Sequence, residues 1–348
     1  MSKPIAKVNN SVIFCRGHPS PISNLLSEEV LLFLRRYFAC ATISYGLLDK
    51  VIEFSSISSQ QEILGDILGR TSFRARKLHR NALKYIIRQL EAQNVEVAPN
   101  LYSCFIDPKI GNTPCVDRYY FDQHFLKYIL IQEDQCQLSK GTTGLSCWQA
   151  SCDLANYLLK FGGDIIFGKD VLELGAGCGL VGIAVAISGC AKTITLSDGN
   201  NDVLGMIYAN LEANSLKNCD NIFTTILQWE AINVSNIPVI PSVIITADVV
   251  YDLEAIKPLV CAIKKLLVAS EKEGNLEPCC ILANTLRSAD TMDKFVAYSG
   301  ESGLLIKNYF TYEDGIFIFG DIKLEDQSLF PFTSNIHCPT VFYELALK

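Results

Sequence analysis

The chain has 348 residues, 49% of them hydrophobic and 19% charged, with a formal net charge of −7. That apolar share excludes a mostly disordered chain and provides for a sizeable core, and the length suits two domains. The acidic balance argues against a nucleic-acid substrate, which usually leaves a basic footprint on its protein.

Fourteen cysteines and four histidines are present. The cysteines follow no CxxC spacing and several lie in apolar runs, so buried thiols in a reducing, cytoplasmic setting are expected and a metal site is not. Residues 1–10 lack the apolar stretch of a secretion signal, and no run of about 20 apolar residues predicts a membrane span.

In chain order, residues 27–94 read as helical. In the segment from Ser27 to Tyr37 the acids come early and the arginines late, as the helix dipole favours. Further helices are expected near 60–68 and over 72–93, where Leu78, Ala82, Leu83, Ile86 and Leu90 form a helical stripe. Prolines and glycine over 95–117 read as an irregular linker, and 118–135 alternates as a strand hairpin would. The expected division is a helical region over 1–117 and a second domain over 118–348. From Gly144 onward, strands are expected at 170–174, 193–197, 222–227, 243–247 and 280–285, with helices such as 179–188 and 201–214 between them. Repeated strand–helix units imply a doubly wound α/β fold with a mostly parallel sheet. Strand-rich stretches at 304–310, 316–324 and 340–347 suit an antiparallel edge.

The sharpest feature is Val171-Leu172-Glu173-Leu174-Gly175-Ala176-Gly177-Cys178-Gly179, a strand running through a glycine turn into a helix. Glycines let the backbone turn tightly and approach a ligand, and the helix start favours a carboxylate. A dinucleotide fingerprint needs its third small residue at position 180, which is Leu180. The glycine falls one place early, so Glu173, Gly175, Gly177 and Gly179 match instead the E-x-G-x-G-x-G motif of enzymes using S-adenosylmethionine. A merely structural turn is the bland alternative. Asp198, about 20 residues on at the end of the next strand, can accept both hydroxyls of a ribose; capping the next helix is its bland role. Trp229 follows the third strand, where its ring can stack on an adenine, and Ala247 leaves room at the end of the fourth. Asp248 and Tyr251, in Asp248-Val249-Val250-Tyr251, follow at a strand end that should face the site.

With Thr143-Gly144-Leu145-Ser146-Cys147-Trp148, these segments resemble the seven-strand protein-lysine methyltransferases, whose post-strand-four signature D/E-x-x-Y/F matches Asp248–Tyr251. The helical region and Leu329-Phe330-Pro331-Phe332 resemble the members of that family that act on eukaryotic elongation factor 2. The resemblance implies a Rossmann-like seven-stranded sheet, S-adenosyl-L-methionine as cofactor, and elongation factor 2 as protein partner of a monomeric enzyme. It implies that Trp148, Glu173, Gly175, Ala176, Gly177, Asp198, Trp229 and Ala247 hold the cofactor, with Asp248 and Tyr251 catalytic beside the target lysine. Asp248 is expected to orient the amine and relay its proton through water, and Tyr251 to wall the slot. One departure is Gln228, where relatives usually carry Asp. An amide donates as well as accepts, which changes the contact open to an adenine.

Two competing readings are a methyltransferase for a small molecule or nucleic acid, and a non-catalytic module that only binds the cofactor. The [N/D]-P-P-[Y/F] signature of base methylation is absent at Asp248–Tyr251. Arg70, Arg74, Arg76, Lys77, Arg80, Lys84 and Arg88 make a basic helix, read either as a solvated face or as a docking surface for an acidic partner.

Overall fold

The structure, a computed structural model, describes residues 26–69, 77–106, 115–326, 328–332 and 338–348. The chain divides into two units, one containing residues 26–136 with Pro331 and Phe332, the other residues 137–330 and 338–348.

The first unit opens with α1 (Glu28–Phe38). The Ser27 hydroxyl accepts from the Val30 amide, Glu28 and Glu29 sit in the first turn, and Arg35 and Arg36 in the last. This is the order the helix dipole favours. There follow α2 (Tyr45–Ser55), α3 (Ser58–Gly69), α4 (Lys77–Ala92) and α5 (Pro99–Ile106), and the antiparallel hairpin of β1 (Cys115–Phe121) and β2 (Tyr128–Asp134). The stretch expected to be an irregular linker thus contains a helix. Pro99 stands at its first position, where the missing N–H costs nothing, and Leu101 is fully buried. Val30, Phe33, Leu34, Leu83, Ile86 and Leu90 belong to the core of this unit. The hairpin is fastened by a buried ion pair, Arg118 Nε to Glu133 Oε1 at 2.8 Å, and Arg118 also donates to the Ala39 carbonyl at 2.7 Å. Of the basic helix, Arg70, Arg74 and Arg76 lie outside the described residues, while Arg80, Lys84 and Arg88 are exposed. The start of the helix expected over 72–93 lies outside them too.

The second unit runs α6 (Gln149–Lys160), α7 (Gly163–Ile166), β3 (Asp170–Leu174), α8 (Leu180–Ser188), β4 (Thr193–Asp198), α9 (Asn201–Ala213), β5 (Ile222–Ile226), β6 (Val243–Ala247) and α10 (Leu253–Lys272). It continues with β7 (Cys279–Thr285), α11 (Ala289–Glu301), β8 (Leu304–Glu313), β9 (Ile316–Phe319), β10 (Ile322–Glu325) and β11 (Thr340–Leu347). The sheet order is β10-β9-β8-β11-β7-β6-β3-β4-β5. β3 to β7 pair in parallel, and β11 lies antiparallel between β7 and β8. The sheet therefore has nine strands where seven were expected. The two beyond seven are β9 and β10: the stretch 316–324, expected as one strand, turns at Gly320 (φ +59°) and makes this hairpin on the edge of β8.

β3 is buried on both faces, as short parallel strands must be. Leu172 and Leu174 face α10 and α11, in a core with Ile263, Leu266 and Phe295. Glu173 faces the other way, towards α8. Strand order reverses beside β3: the chain passes outward through β4 and β5, then returns to β6 on the opposite flank. A ligand crevice is expected outside the carboxyl ends at such a switch point.

Candidate active site

A cavity of about 330 Å³ opens at that crevice, within the usual range for a small-molecule site. Gly175, Ala176 and Gly177 line it, with Asp198 from β4, Trp229 after β5, Ala247 at the end of β6, Asp248 just after it, and Trp148 and Tyr251 from flanking loops. Each of these is a residue expected at the site from the sequence.

The turn after β3 needs its glycines twice over. Gly175, Gly177 and Gly179 have φ of +64°, +54° and +81°, where a side chain is strained. A Cβ on Gly175 would lie 3.0 Å from Val249 and 3.2 Å from the Trp229 ring, and one on Gly177 would lie 3.2 Å from the Gly144 carbonyl oxygen. The turn thus packs beneath the Trp229 ring and against the 142–148 loop. In that loop Trp148 Nε1 donates to the Thr143 carbonyl at 3.0 Å.

Asp198 accepts from the Gly177 amide at 3.2 Å and the Asn200 amide at 3.1 Å. Burial pushes its pKa up, and the amide donors pull the other way. A carboxylate has about four acceptor positions; the Gly177, Asn200 and Gly199 amides draw on this one, which lines the cavity. Gln228 also lines the cavity and is exposed.

Glu173 is placed differently from expectation. It does not line the cavity. Its Oε2 accepts from the Gly182 amide at 2.8 Å, bracing α8 against β3, and burial pushes its pKa up to about 8. Gly182 is glycine because a Cβ there would fall 2.6 Å from that oxygen. In the motif, the acid holds the helix while Gly175 and Gly177 face the cavity.

Asp248 has φ +54°, a conformation Asp tolerates better than most residues. Its amide donates to the Ala283 carbonyl at 2.9 Å, and Asn284 clamps the next turn, accepting from the Val250 amide at 2.9 Å and donating to its carbonyl at 3.2 Å. The carboxylate, only 1% exposed, forms a two-pronged pair with Arg287: Nη1 to Oδ1 at 3.0 Å and Nη2 to Oδ2 at 3.2 Å. Oδ1 also accepts from the Thr285 amide, and Oδ2 from the Thr285 hydroxyl and the Ala150 amide. An incoming amine would meet Asp248 only by exchanging with one of these donors. The Arg287 guanidinium also lies over the Trp148 ring, 5.2 Å from its centre. Tyr251 stands 60% exposed at the mouth.

Arg287, which contacts two cavity-lining residues, is absent from the residues expected from the sequence. It lies two residues past β7, and the same strand-end rule that located Asp248 would have found it. The residues fit the expected cofactor. There is an acceptor pair for ribose at Asp198, a flat ring for a base at Trp229, and a small residue, Ala247, where bulk would block the cavity.

The sequence pattern described as lysine methyltransferase matches residues 127–296. The protein-lysine N-methyltransferase EEF2KMT of Homo sapiens is 28% identical over 304 residues, covering 82% of this chain and 91% of the human protein. The calmodulin-lysine N-methyltransferase of Arabidopsis thaliana is 30% identical over 171 residues, 48% of this chain and 54% of that one. Protein-lysine N-methyltransferase EFM3 of Chaetomium thermophilum is 28% identical, covering 51% and 54%. Over residues 127–296, a little under half of its length, the chain is similar to the lysine methyltransferase family.

Proposed function

We propose that the chain transfers a methyl group from S-adenosylmethionine to a lysine of eukaryotic elongation factor 2. The observation that carries the choice of substrate is the extent of the human EEF2KMT match. It reaches beyond the family domain to cover 82% of the chain, whereas the calmodulin-directed relative matches 48%.

In this reading Asp198 holds the ribose, Trp229 flanks the adenine, and Gly175 to Gly177 let the backbone close on the cofactor. Trp148, Ala247, Asp248 and Tyr251 surround the transfer position. S-adenosylmethionine, when bound, supplies an activated methyl on a sulfonium. The chain's task is to present a lysine amine in its neutral form. From a pKa near 10.4 that costs about 4.6 kcal/mol at pH 7, at about 1.36 kcal/mol per unit. A slot screened from water lowers that cost by disfavouring the ammonium. Asp248 orients the amine through the carboxylate edge it shares with Arg287, and Tyr251 walls the slot. One chain supplies every residue in this account, so the proposed active species is a monomer, working in the cytoplasm where translation takes place. The helical unit, with the exposed Arg80, Lys84 and Arg88, is proposed to dock the partner.

The test is to incubate the purified chain with methyl-labelled S-adenosylmethionine and unmethylated elongation factor 2. The expected result is label on one lysine of that factor. Label on a different protein of a lysate, with none on elongation factor 2, would overturn the choice of substrate.

A further inference from the structure

Arg287 holds an unusual place. It pairs with both oxygens of a carboxylate that is 1% exposed, while its own side chain is 35% exposed and lies over the ring of Trp148. Both Asp248 and Trp148 line the cavity. The pair thus spans from the end of β6 to the start of α6, and its net charge is close to zero.

That charge balance matters on this side of the cavity. β6 and β4 flank β3 on opposite sides, so Asp198 and Asp248 come from strands about 10 Å apart. If Asp198 takes the ribose, Asp248 lies on the side left for the charged sulfur and the incoming amine. A second acid is close by. Asp153, on α6 one turn from Ala150, is 4% exposed and accepts from the Thr340 hydroxyl at 2.5 Å. Burial pushes its pKa to about 7, and Asp248 adds to that. An unpaired Asp248 would favour every cation nearby: it would bind the sulfonium more tightly and also hold the lysine as an ammonium that cannot attack.

We propose that Arg287 is a positioning residue that cancels the charge of Asp248, setting the potential at the transfer position so that a cationic cofactor and a neutral amine can share one slot. The inference rests on the methyltransferase reading of this cavity. It assigns Arg287 no contact with the reacting atoms; Arg287 acts through Asp248 and by fixing the ring of Trp148.

The test compares two ligands that differ by one charge: S-adenosylmethionine, a sulfonium, and S-adenosylhomocysteine, a neutral thioether. The ratio of their dissociation constants, measured by calorimetry on the full chain, reports the local potential without any methyl transfer. Arg287→Met should shift the preference towards the sulfonium by roughly fivefold or more, as one uncompensated charge at such range implies. Arg287→Lys should stay near the wild-type ratio. Asp248→Asn, which removes the charge, keeps one acceptor oxygen and turns the other into a donor, should shift the ratio the opposite way and does not depend on the Arg287 variants folding. The double variant R287M/D248N should return it. If both ligands bind and the ratio is unmoved in Arg287→Met and Asp248→Asn, the inference is overturned. If the wild-type chain takes up neither ligand, it is the reading of the cavity that fails.

Discussion

Glu173 and Arg287 show how a residue's type and its task come apart. Glu173 sits in the right motif, yet its carboxylate is spent on the Gly182 amide and buried away from the cavity. Its folded-state pKa of about 8 lies above the unfolded value near 4.5, so the native state retains a proton that the unfolded state gives up. The stability this contributes is complete below pH 4.5 and is lost as pH climbs through 8. Glu173→Gln, which keeps an acceptor for Gly182 and removes the titration, should lose less stability between pH 5 and pH 9 than the wild type in urea melts. Equal pH dependence in the two proteins would contradict this account of Glu173. Spacing placed Asp198, Trp229 and Asp248 around the cavity because strand ends recur at the same edge of a parallel sheet. Spacing could not show that the Asp248 carboxylate is paired with Arg287, because that pairing depends on two strands that are neighbours in the sheet and 39 residues apart in sequence.

Among the elements, the parallel strands were the most legible. β6 and β7 are buried along their whole length and β3 over all but its first residue, and a strand buried on both faces must be a short, continuous apolar run. Helix α5 was hidden because a proline reads as a breaker, although at a first helical turn it is a starter. The division of 316–324 into β9 and β10 hangs on the reversal at Gly320, a choice between turn and bulge that one glycine does not decide. The loop from β6 to α10 is fixed from below by Asn284, 2% exposed, through its paired bonds to Val250. Asn284→Ala leaves that amide and carbonyl without their partner, so a loss of about 1–3 kcal/mol is expected. Methyl transfer should then slow by more than cofactor affinity weakens, since the clamp holds Asp248 and Tyr251 and does not touch Asp198. Equal losses in the two would show that the clamp is merely structural.

At the scale of the molecule, the doubly wound sheet sets one cavity at its switch point, and every residue lining that cavity comes from the second unit. The helical unit has its own core and its own buried ion pair. Both tryptophans of the chain, Trp148 and Trp229, line the cavity, so their emission reports on it with no background from elsewhere. Titration of the intact chain with S-adenosylmethionine, followed by tryptophan emission, therefore tests the central claim most directly. A saturable change at one equivalent, lost in Asp198→Ala under conditions where that variant is folded, is the predicted result. Emission that stays flat through saturating cofactor in the wild type, or a change that Asp198→Ala leaves intact, would contradict it.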